Sequence, residues 1–249
     1  MVMIDGRYMD GFLVKNLDIA REAIKHDWDM CFIVDGVERG GKSTLAAQCA
    51  WYCDRTVNLD RLAFDHLQFK KKVMEAQPRT AVIYDEAFSG FNVRMTINII
   101  NITLVQMMAE AGQKNLFIFV VMPSFFELDR YMSLHRSRAL LHAYCGDNFQ
   151  RGFFCFYNTD RKKDLYLKGK KLYDYRQSKP NFYGRFTSWL PFDNEEYKKL
   201  KIKAFHSRKD GNKNIEERIL NAELTAQQKA KLLGVSERTY FRKLVNKAP

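Results

Sequence analysis

The chain has 249 residues, of which 46% are hydrophobic and 14% aromatic, and its formal net charge is +12. This composition excludes a disordered chain, and no apolar run reaches the roughly 18 residues that a membrane span needs. No secretory signal precedes the first strand, and the five cysteines lack metal-ligand spacing. A cytoplasmic protein with reduced thiols, bacterial, archaeal or from a virus-infected host cell, is therefore expected.

Strand and helix signals alternate through the first part of the chain. Strands are predicted at 30–35, 55–59, 79–84, 116–122 and 139–145. Helices are predicted at 43–54, 60–76, 95–112 and 125–136. This alternation predicts an α/β three-layer sandwich with a mostly parallel sheet. The unbroken apolar run at 116–122 indicates a central strand that is buried on both faces.

An octet between the first of these strands and the next helix matches the phosphate-binding pattern G-x-x-x-x-G-K-[ST]. The candidate nucleotide-binding residues are Gly36, Val37, Glu38, Arg39, Gly40, Gly41, Lys42, Ser43 and Thr44. Glycines let the backbone turn its N–H groups toward an anion, and the helix N-terminus adds further donors. Lys42 is predicted to reach the β- and γ-phosphates and Ser43 to hold Mg²⁺. The pattern thus predicts ATP and Mg²⁺ as ligands.

An acidic pair ends the strand at 79–84. Asp85 is expected beside the glycine-rich octet, where it can hold the Mg²⁺ shell. Glu86 is placed to polarise the attacking water as a general base. A phosphoryl acceptor in a kinase brings its own nucleophile, so the second carboxylate favours hydrolysis of ATP.

The residue that contacts the γ-phosphate is expected just after strand 116–122, where Ser124 is the candidate. A serine at this place could equally cap the following helix. Arg130 is the candidate for stabilising charge in the transition state. Other candidates for that role are Arg39, Arg94, Arg136 and Arg138.

Beyond residue 150 the chain becomes aromatic and basic. A β-hairpin is predicted at 151–168 and an irregular wrap up to 192, which together complete a first domain at 1–196. Basic residues among aromatics can grip single-stranded nucleic acid, but they can equally protect a sheet edge. Residues 197–249 contain 14 Lys and Arg against 5 Asp and Glu, which indicates a polyanion-binding surface.

A linker is predicted at 197–215, and a small all-α domain at 216–249. A helix at 224–233, a turn at Gly234 and an N-cap at Ser236 predict a helix-turn-helix. The outer face of its second helix would contact DNA through Arg238, Thr239, Arg242 and Lys243. The run from Ala230 to Leu244 resembles the Fis-type helix-turn-helix of bacterial regulators. A helical hairpin for protein contacts is the alternative.

Residues 28–145 resemble the P-loop ATPases that carry a catalytic glutamate beside the magnesium aspartate. They look most like the FtsK/HerA translocases, the Zot-type assembly ATPases and the ATPase half of large terminases. The resemblance rests on Asp-Glu-Ala at 85–87, a long helix before strand 117–121, and the segment 123–130. The chain departs from those translocases at Ser124, because they usually carry a Gln after that strand. The resemblance implies a RecA-like fold and a homo-oligomer.

Three functions remain open at this point. The first is an ATP-hydrolysing motor or switch on DNA, of the phage or mobile-element type, as in genome packaging or translocation. The second is a transposition or replication helper, or a regulator, that ATP switches between oligomeric states. The third is a P-loop nucleoside kinase, against which the Glu86 argument speaks.

Overall fold

The computed structural model describes residues 2–85 and 93–204, apart from the side chains of 93–99. Beyond these ranges it describes residues 206, 225–227, 230, 236, 238 and 242.

The N-terminal residues, for which the sequence predicted no element, form a hairpin and a helix. Strands β1 (Val2–Ile4) and β2 (Arg7–Met9) pair antiparallel in a small sheet of their own. Helix α1 (Gly11–Lys25) follows. It begins at Asp10, whose carboxylate accepts hydrogen bonds from the amides of Phe12 and Leu13 and so caps the helix.

The centre of the molecule is a seven-stranded mixed sheet. Its strands are β3 (Met30–Gly36), β4 (Leu62–Ala63), β5 (Ala81–Asp85), β6 (Phe117–Val121), β7 (Ala139–Tyr144), β8 (Phe153–Tyr157) and β9 (Phe182–Arg185). The spatial order is β4-β5-β6-β3-β7-β8-β9. The first five strands of this order run parallel, whereas β8 and β9 run antiparallel to their neighbours.

Helices cover both faces of this sheet. They are α2 (Lys42–Cys53), α3 (His66–Glu75), α4 (Val93–Gln113), α5 (Thr159–Gly169) and a helix at 194–204. Strand β3 shows why two layers form, because Phe32 and Val34 face one apolar cluster while Cys31 and Ile33 face the other. Helices α1 and α2 contribute to the first cluster, and α3, α4 and α5 to the second.

Most of the predicted core elements are confirmed. Strands β3, β5, β6 and β7 lie where the sequence predicted them, as do α2 and α4. Strand β6 lies between β3 and β5 and is buried along its whole length, as its unbroken apolar run predicts. Helix α3 begins six residues later than predicted, at His66 instead of residue 60.

The strand predicted at 55–59 is wrong, and the edge strand is β4 instead. The reason is local hydrogen bonding by polar side chains. Asp54 accepts from the amide of Thr56 at 2.9 Å, and Asn58 accepts from the amide of Asp60 at 3.0 Å. These bonds stabilise turns, which compete with an extended backbone.

The continuous helix predicted at 125–136 is also wrong. The segment forms a 3₁₀ turn at Phe125–Glu127 and a π-helical turn at Met132–Arg136. Between them, Asp129 accepts a hydrogen bond from the amide of Tyr131 and donates its own amide to the Asn101 side chain. The contact with α4 therefore interrupts the helix.

The β-hairpin predicted at 151–168 is wrong, because only its first half is a strand. Strand β8 pairs with β7 and with the later β9, while the second half is α5. Asn158 caps α5 by accepting from the amide of Arg161 at 3.0 Å. Helical spacing then buries Lys162, Leu165, Tyr166 and Gly169 on one face.

The predicted linker at 197–215 begins with helical residues, because the helix at 194–204 extends into it. Most of the predicted helix-turn-helix at 216–249 lies outside the described residues, including Thr239 and Lys243. Of those that are described, Ala230 is buried, and Arg238 and Arg242 are exposed in helical conformation. Among the described residues, no helix is long and apolar enough to span a membrane.

Candidate functional site

The candidate site lies at the carboxyl edge of the parallel strands. Strand β3 ends at Gly36 and β5 ends at Asp85, with β6 between them. Strands in a sheet are about 4.8 Å apart, so the ends of β3 and β5 are separated by about 10 Å. The glycine-rich loop 36–43 leads from β3 into α2, which brings its side chains toward Asp85.

The backbone of this loop uses left-handed conformations that glycine permits. Gly36 has φ 130°, Arg39 has φ 59° and Gly41 has φ 94°. Gly41 is the N-cap of α2 and has no side chain with which to cap it, so the first amides of the helix remain for another acceptor. Val37, Glu38 and Arg39 are exposed, whereas Gly40 is buried against Val37. Thr44 lies in the first turn of α2.

Gly36 also lies against the next strand so closely that a side chain has no room. A Cβ at this position would lie 1.8 Å from the carbonyl oxygen of Ala143 in β7. Gly36→Ala is expected to lower the free energy of unfolding by about 3 kcal/mol or more, because steric overlap adds to backbone strain. Urea denaturation measures this loss.

Gly6→Ala is the matched control for Gly36→Ala. Gly6 also has a positive φ, 73°, but its Cβ would have nothing within 4 Å. Only the backbone strain remains there, which costs about 1 kcal/mol. Equal losses in the two variants would contradict the close approach of β3 to β7.

Lys42 reaches back across the glycine-rich loop. Its Nζ donates to the carbonyl oxygens of Gly36 and Val37, both at 2.8 Å. Burial lowers the pKa of its ammonium, while the carboxylates of Asp35 and Asp85 act in the opposite direction. The lysine thus places a cationic donor inside the curve of the loop, where an anion cradled by the loop amides would meet it.

Ser43 and Asp85 lie around one cation, which is supplied by the helix at 194–204. The Lys201 Nζ lies 2.9 Å from the Asp85 Oδ2 and 3.2 Å from the Ser43 Oγ. Tyr197, one turn earlier, donates its hydroxyl to the same Asp85 oxygen at 2.8 Å. Burial alone would lower the pKa of Lys201, but Asp85 and Tyr197 raise it above its ordinary value. Burial and the Asp85 charge raise the pKa of Tyr197 to about 12.

These contacts allow a test of whether the site suits Mg²⁺. A serine hydroxyl and a carboxylate are the hard oxygen ligands that Mg²⁺ takes, usually with phosphate oxygens and water completing the shell. Both oxygens already contact a single positive charge, the Lys201 ammonium. The donor set therefore fits Mg²⁺ bound together with a nucleotide. Glu86, the predicted general base, lies outside the described residues.

A buried acidic residue that sequence reasoning missed lies directly before the glycine-rich loop. Asp35 is 0% exposed and accepts from the amide of Phe125 at 2.7 Å. Its carboxylate also contacts the His142 Nδ1 at 2.9 Å and accepts from the Tyr175 hydroxyl. The sequence carries one signal for this residue: β3 is apolar from Met30 to Val34, and a charged residue follows directly, before Gly36. Asp35 joins β3, β7 and the turn after β6 at the edge of the candidate site.

Ser124, the predicted γ-phosphate contact, takes part in this network. Its Oγ accepts from the amide of Phe126 and lies 3.3 Å from the Tyr175 hydroxyl. The Tyr175 ring stacks on His142 with centroids 3.8 Å apart. In this arrangement Ser124 caps the 3₁₀ turn, which is the alternative role that the sequence left open.

The candidate arginines are distributed over both edges of the sheet. Arg136 binds Asp29 at 3.0 Å, and Arg138 lies over the Trp28 ring. Both are at the amino ends of β3 and β7, so within one chain they cannot reach the glycine-rich loop. Arg130 and Arg39 are exposed, and Arg39 lies within the loop itself. The side chain of Arg94 lies outside the described residues.

Residues 186–189 hold the outer side of α2. The Phe186 ring lies against Gly41, where a Cβ would be 2.8 Å from it. Gln48 donates to the carbonyl oxygens of Thr187 and Trp189 at 2.7 and 2.9 Å. The segment 186–189 therefore fixes the start of α2 beside the loop.

Comparison of the chain with models of protein families gives no match, and comparison with curated proteins gives none either.

Proposed function

We propose that this chain is a magnesium-dependent ATPase of the RecA-like P-loop type. The observation that carries the proposal is the convergence of Ser43 and Asp85 on one cation at the end of a glycine-rich loop. Parallel strands deliver the two residues from separate parts of the sequence to one edge of the sheet. This is the arrangement that a nucleotide-bound Mg²⁺ requires.

Each group has a defined part in ATP binding. The amides of the glycine-rich loop and of the first turn of α2 face the phosphates, and the Lys42 ammonium neutralises their charge. Ser43 and Asp85 hold the metal, which when bound neutralises charge on the phosphate oxygens. Phe186 packs on Gly41 and keeps the loop in register with α2.

Hydrolysis is favoured over phosphoryl transfer to a small molecule. Glu86 follows the metal-binding Asp85 directly, and a carboxylate there can accept a proton from the attacking water. A nucleoside kinase has no need of that second carboxylate. Charge stabilisation in the transition state is assigned to Arg130 or to the loop's own Arg39, both of which are exposed and so accessible to a bound nucleotide or a neighbouring subunit.

DNA is the proposed partner, and a homo-oligomer the proposed working form. The support is the charge of the last third, 14 Lys and Arg against 5 Asp and Glu in 197–249, and the helix-turn-helix pattern that ends there. A motor or switch of the phage or mobile-element type combines these features. The second candidate, an ATP-switched helper or regulator without translocation, rests on the same residues.

ATP turnover measured without nucleic acid, with single-stranded DNA and with duplex DNA tests this proposal. A motor or switch on DNA is expected to hydrolyse ATP faster with duplex DNA. An ATP-switched helper is expected to bind ATP with little turnover, and its oligomer mass changes when a non-hydrolysable analogue binds.

Arg242→Ala is expected to weaken duplex binding by about 1–3 kcal/mol and to leave basal ATP turnover unchanged. Duplex binding that persists at full strength in this variant would contradict the DNA-binding assignment.

A further inference from the structure

The helix at 194–204 occupies the metal position of the candidate site with its own side chains. Lys201 contacts Ser43, Asp85 and Tyr197 through one Nζ atom, at 3.2, 2.9 and 3.1 Å. Asp85 is 4% exposed in its side chain and Lys201 is 35% exposed. The ammonium is therefore at the mouth of the site, with its partner carboxylate behind it.

A second contact holds the tyrosine of this helix in the same place. The Tyr197 ring packs against Phe64 and Phe192, with centroids 6.2 and 5.7 Å away. Its hydroxyl donates to the Asp85 Oδ2, which also accepts from Lys201. The carboxylate oxygen that would bind a metal therefore already has two hydrogen-bond donors. Ala204 of the same helix is buried in the apolar cluster beside α2. The helix is thus docked by apolar packing as well as by charge.

The docked helix and a bound Mg²⁺ exclude each other. Mg²⁺ binds oxygen at about 2.0–2.1 Å, so an ion on Ser43 and Asp85 falls in the gap that the Lys201 ammonium now fills. Two cations that share that gap would repel each other. The Lys201 ammonium and the Tyr197 hydroxyl together use both lone pairs of the Asp85 Oδ2, so an ion bound through that oxygen must displace at least one of them.

We propose that Lys201 and Tyr197 form an internal plug, and that binding of the Mg²⁺–nucleotide displaces the helix at 194–204 from the candidate site. This inference rests on the proposed function and adds its regulation. By linkage, the docked helix lowers the affinity for the Mg²⁺–nucleotide by the same factor by which that ligand destabilises docking.

Lys201→Met tests the plug because it removes the charge and keeps the length of the side chain. Binding of a non-hydrolysable ATP analogue is measured by calorimetry with excess Mg²⁺ and again with EDTA. With Mg²⁺ the variant is expected to bind about tenfold more tightly than the wild-type chain. With EDTA no increase in affinity is expected, because no metal ion is then present for the Lys201 ammonium to repel. Lys199→Met is the matched control, since Lys199 is an exposed lysine on the same helix.

Amide hydrogen exchange of the wild-type chain gives a second readout that needs no variant. Exchange at 194–204 is expected to increase when Mg²⁺ and the analogue are added together, and to stay unchanged with either alone. Tighter binding by Lys201→Met, or binding by that variant alone, supports the plug. Weaker binding by Lys201→Met would overturn it, since the lysine would then be a phosphate ligand.

The outcomes also separate the plug from the proposed function. If the wild-type chain binds the Mg²⁺–nucleotide while exchange at 194–204 stays unchanged, the plug is wrong and the ATPase proposal stands. If neither the wild-type chain nor Lys201→Met binds nucleotide in any condition, both are wrong.

Discussion

Lys42→Ala is expected to reduce the affinity for ATP at least 100-fold. The variant loses the Lys42 ammonium, which lies inside the glycine-rich loop. With it go the charge-assisted hydrogen bonds that we propose this ammonium makes to the phosphates. Such a loss corresponds to about 3 kcal/mol. Calorimetric titration with a non-hydrolysable analogue and Mg²⁺ measures it.

Lys70→Ala is the control for Lys42→Ala, because Lys70 is an exposed lysine of α3 and is remote from the loop. Circular dichroism must show that both variants are folded, since Lys42 also bonds two loop carbonyls. Retention of wild-type affinity by folded Lys42→Ala would contradict the assignment of loop 36–43 to phosphate binding.

Glu86→Gln is expected to keep the nucleotide bound and to slow its hydrolysis by about 10²- to 10⁴-fold, the usual contribution of a general base. Glutamine retains the shape of glutamate but cannot accept the proton of the attacking water. Steady-state phosphate release measures the rate, and the calorimetric titration measures the retained affinity.

The exposed Glu75 supplies the comparison, as Glu75→Gln removes a carboxylate far from the loop and should leave turnover unchanged. If Glu86→Gln turns over ATP at the wild-type rate, Glu86 is not the base. If it loses affinity together with turnover, Glu86 contributes to metal binding instead.

The centre of the sheet could be predicted because its strands are recognisable from their own residues, without information from distant contacts. Strands β3, β5 and β6 are buried throughout, so their apolar runs are unbroken and cannot be mistaken for half-exposed elements. The last residues of β3 and β5, Gly36 and Asp85, could be assigned to one candidate site because parallel strands end at a common edge.

The errors lie where tertiary contacts decide between local alternatives. The short apolar run at 165–167 allows a strand, but the Asn158 cap and the burial of Lys162, Leu165 and Tyr166 at helical spacing favour α5. The helix predicted at 125–136 is broken by hydrogen bonds between the Asn101 side chain of α4 and the backbone of Glu127 and Asp129, which lie 26 and 28 positions later. No local pattern carries that information.

The same limit explains the residues of the site that were missed. Lys201 lies 116 positions after Asp85, and Tyr197 lies 112 positions after it. In sequence they are one lysine and one tyrosine in a basic, linker-like stretch. Asp35 carries more of a sequence signal, because an acidic residue at the end of an apolar strand is unusual and a buried carboxylate needs hydrogen-bond partners.

Phosphate release from ATP by the 249-residue wild-type chain, with Mg²⁺ and with EDTA in its place, tests the central claim most directly. We expect turnover with Mg²⁺ and none with EDTA, since the proposed hydrolysis requires a metal ion on Ser43 and Asp85. Binding of Mg²⁺–ATP without any turnover, with or without DNA, would contradict hydrolysis. Turnover that persists in EDTA would contradict the role of Ser43 and Asp85 as metal ligands.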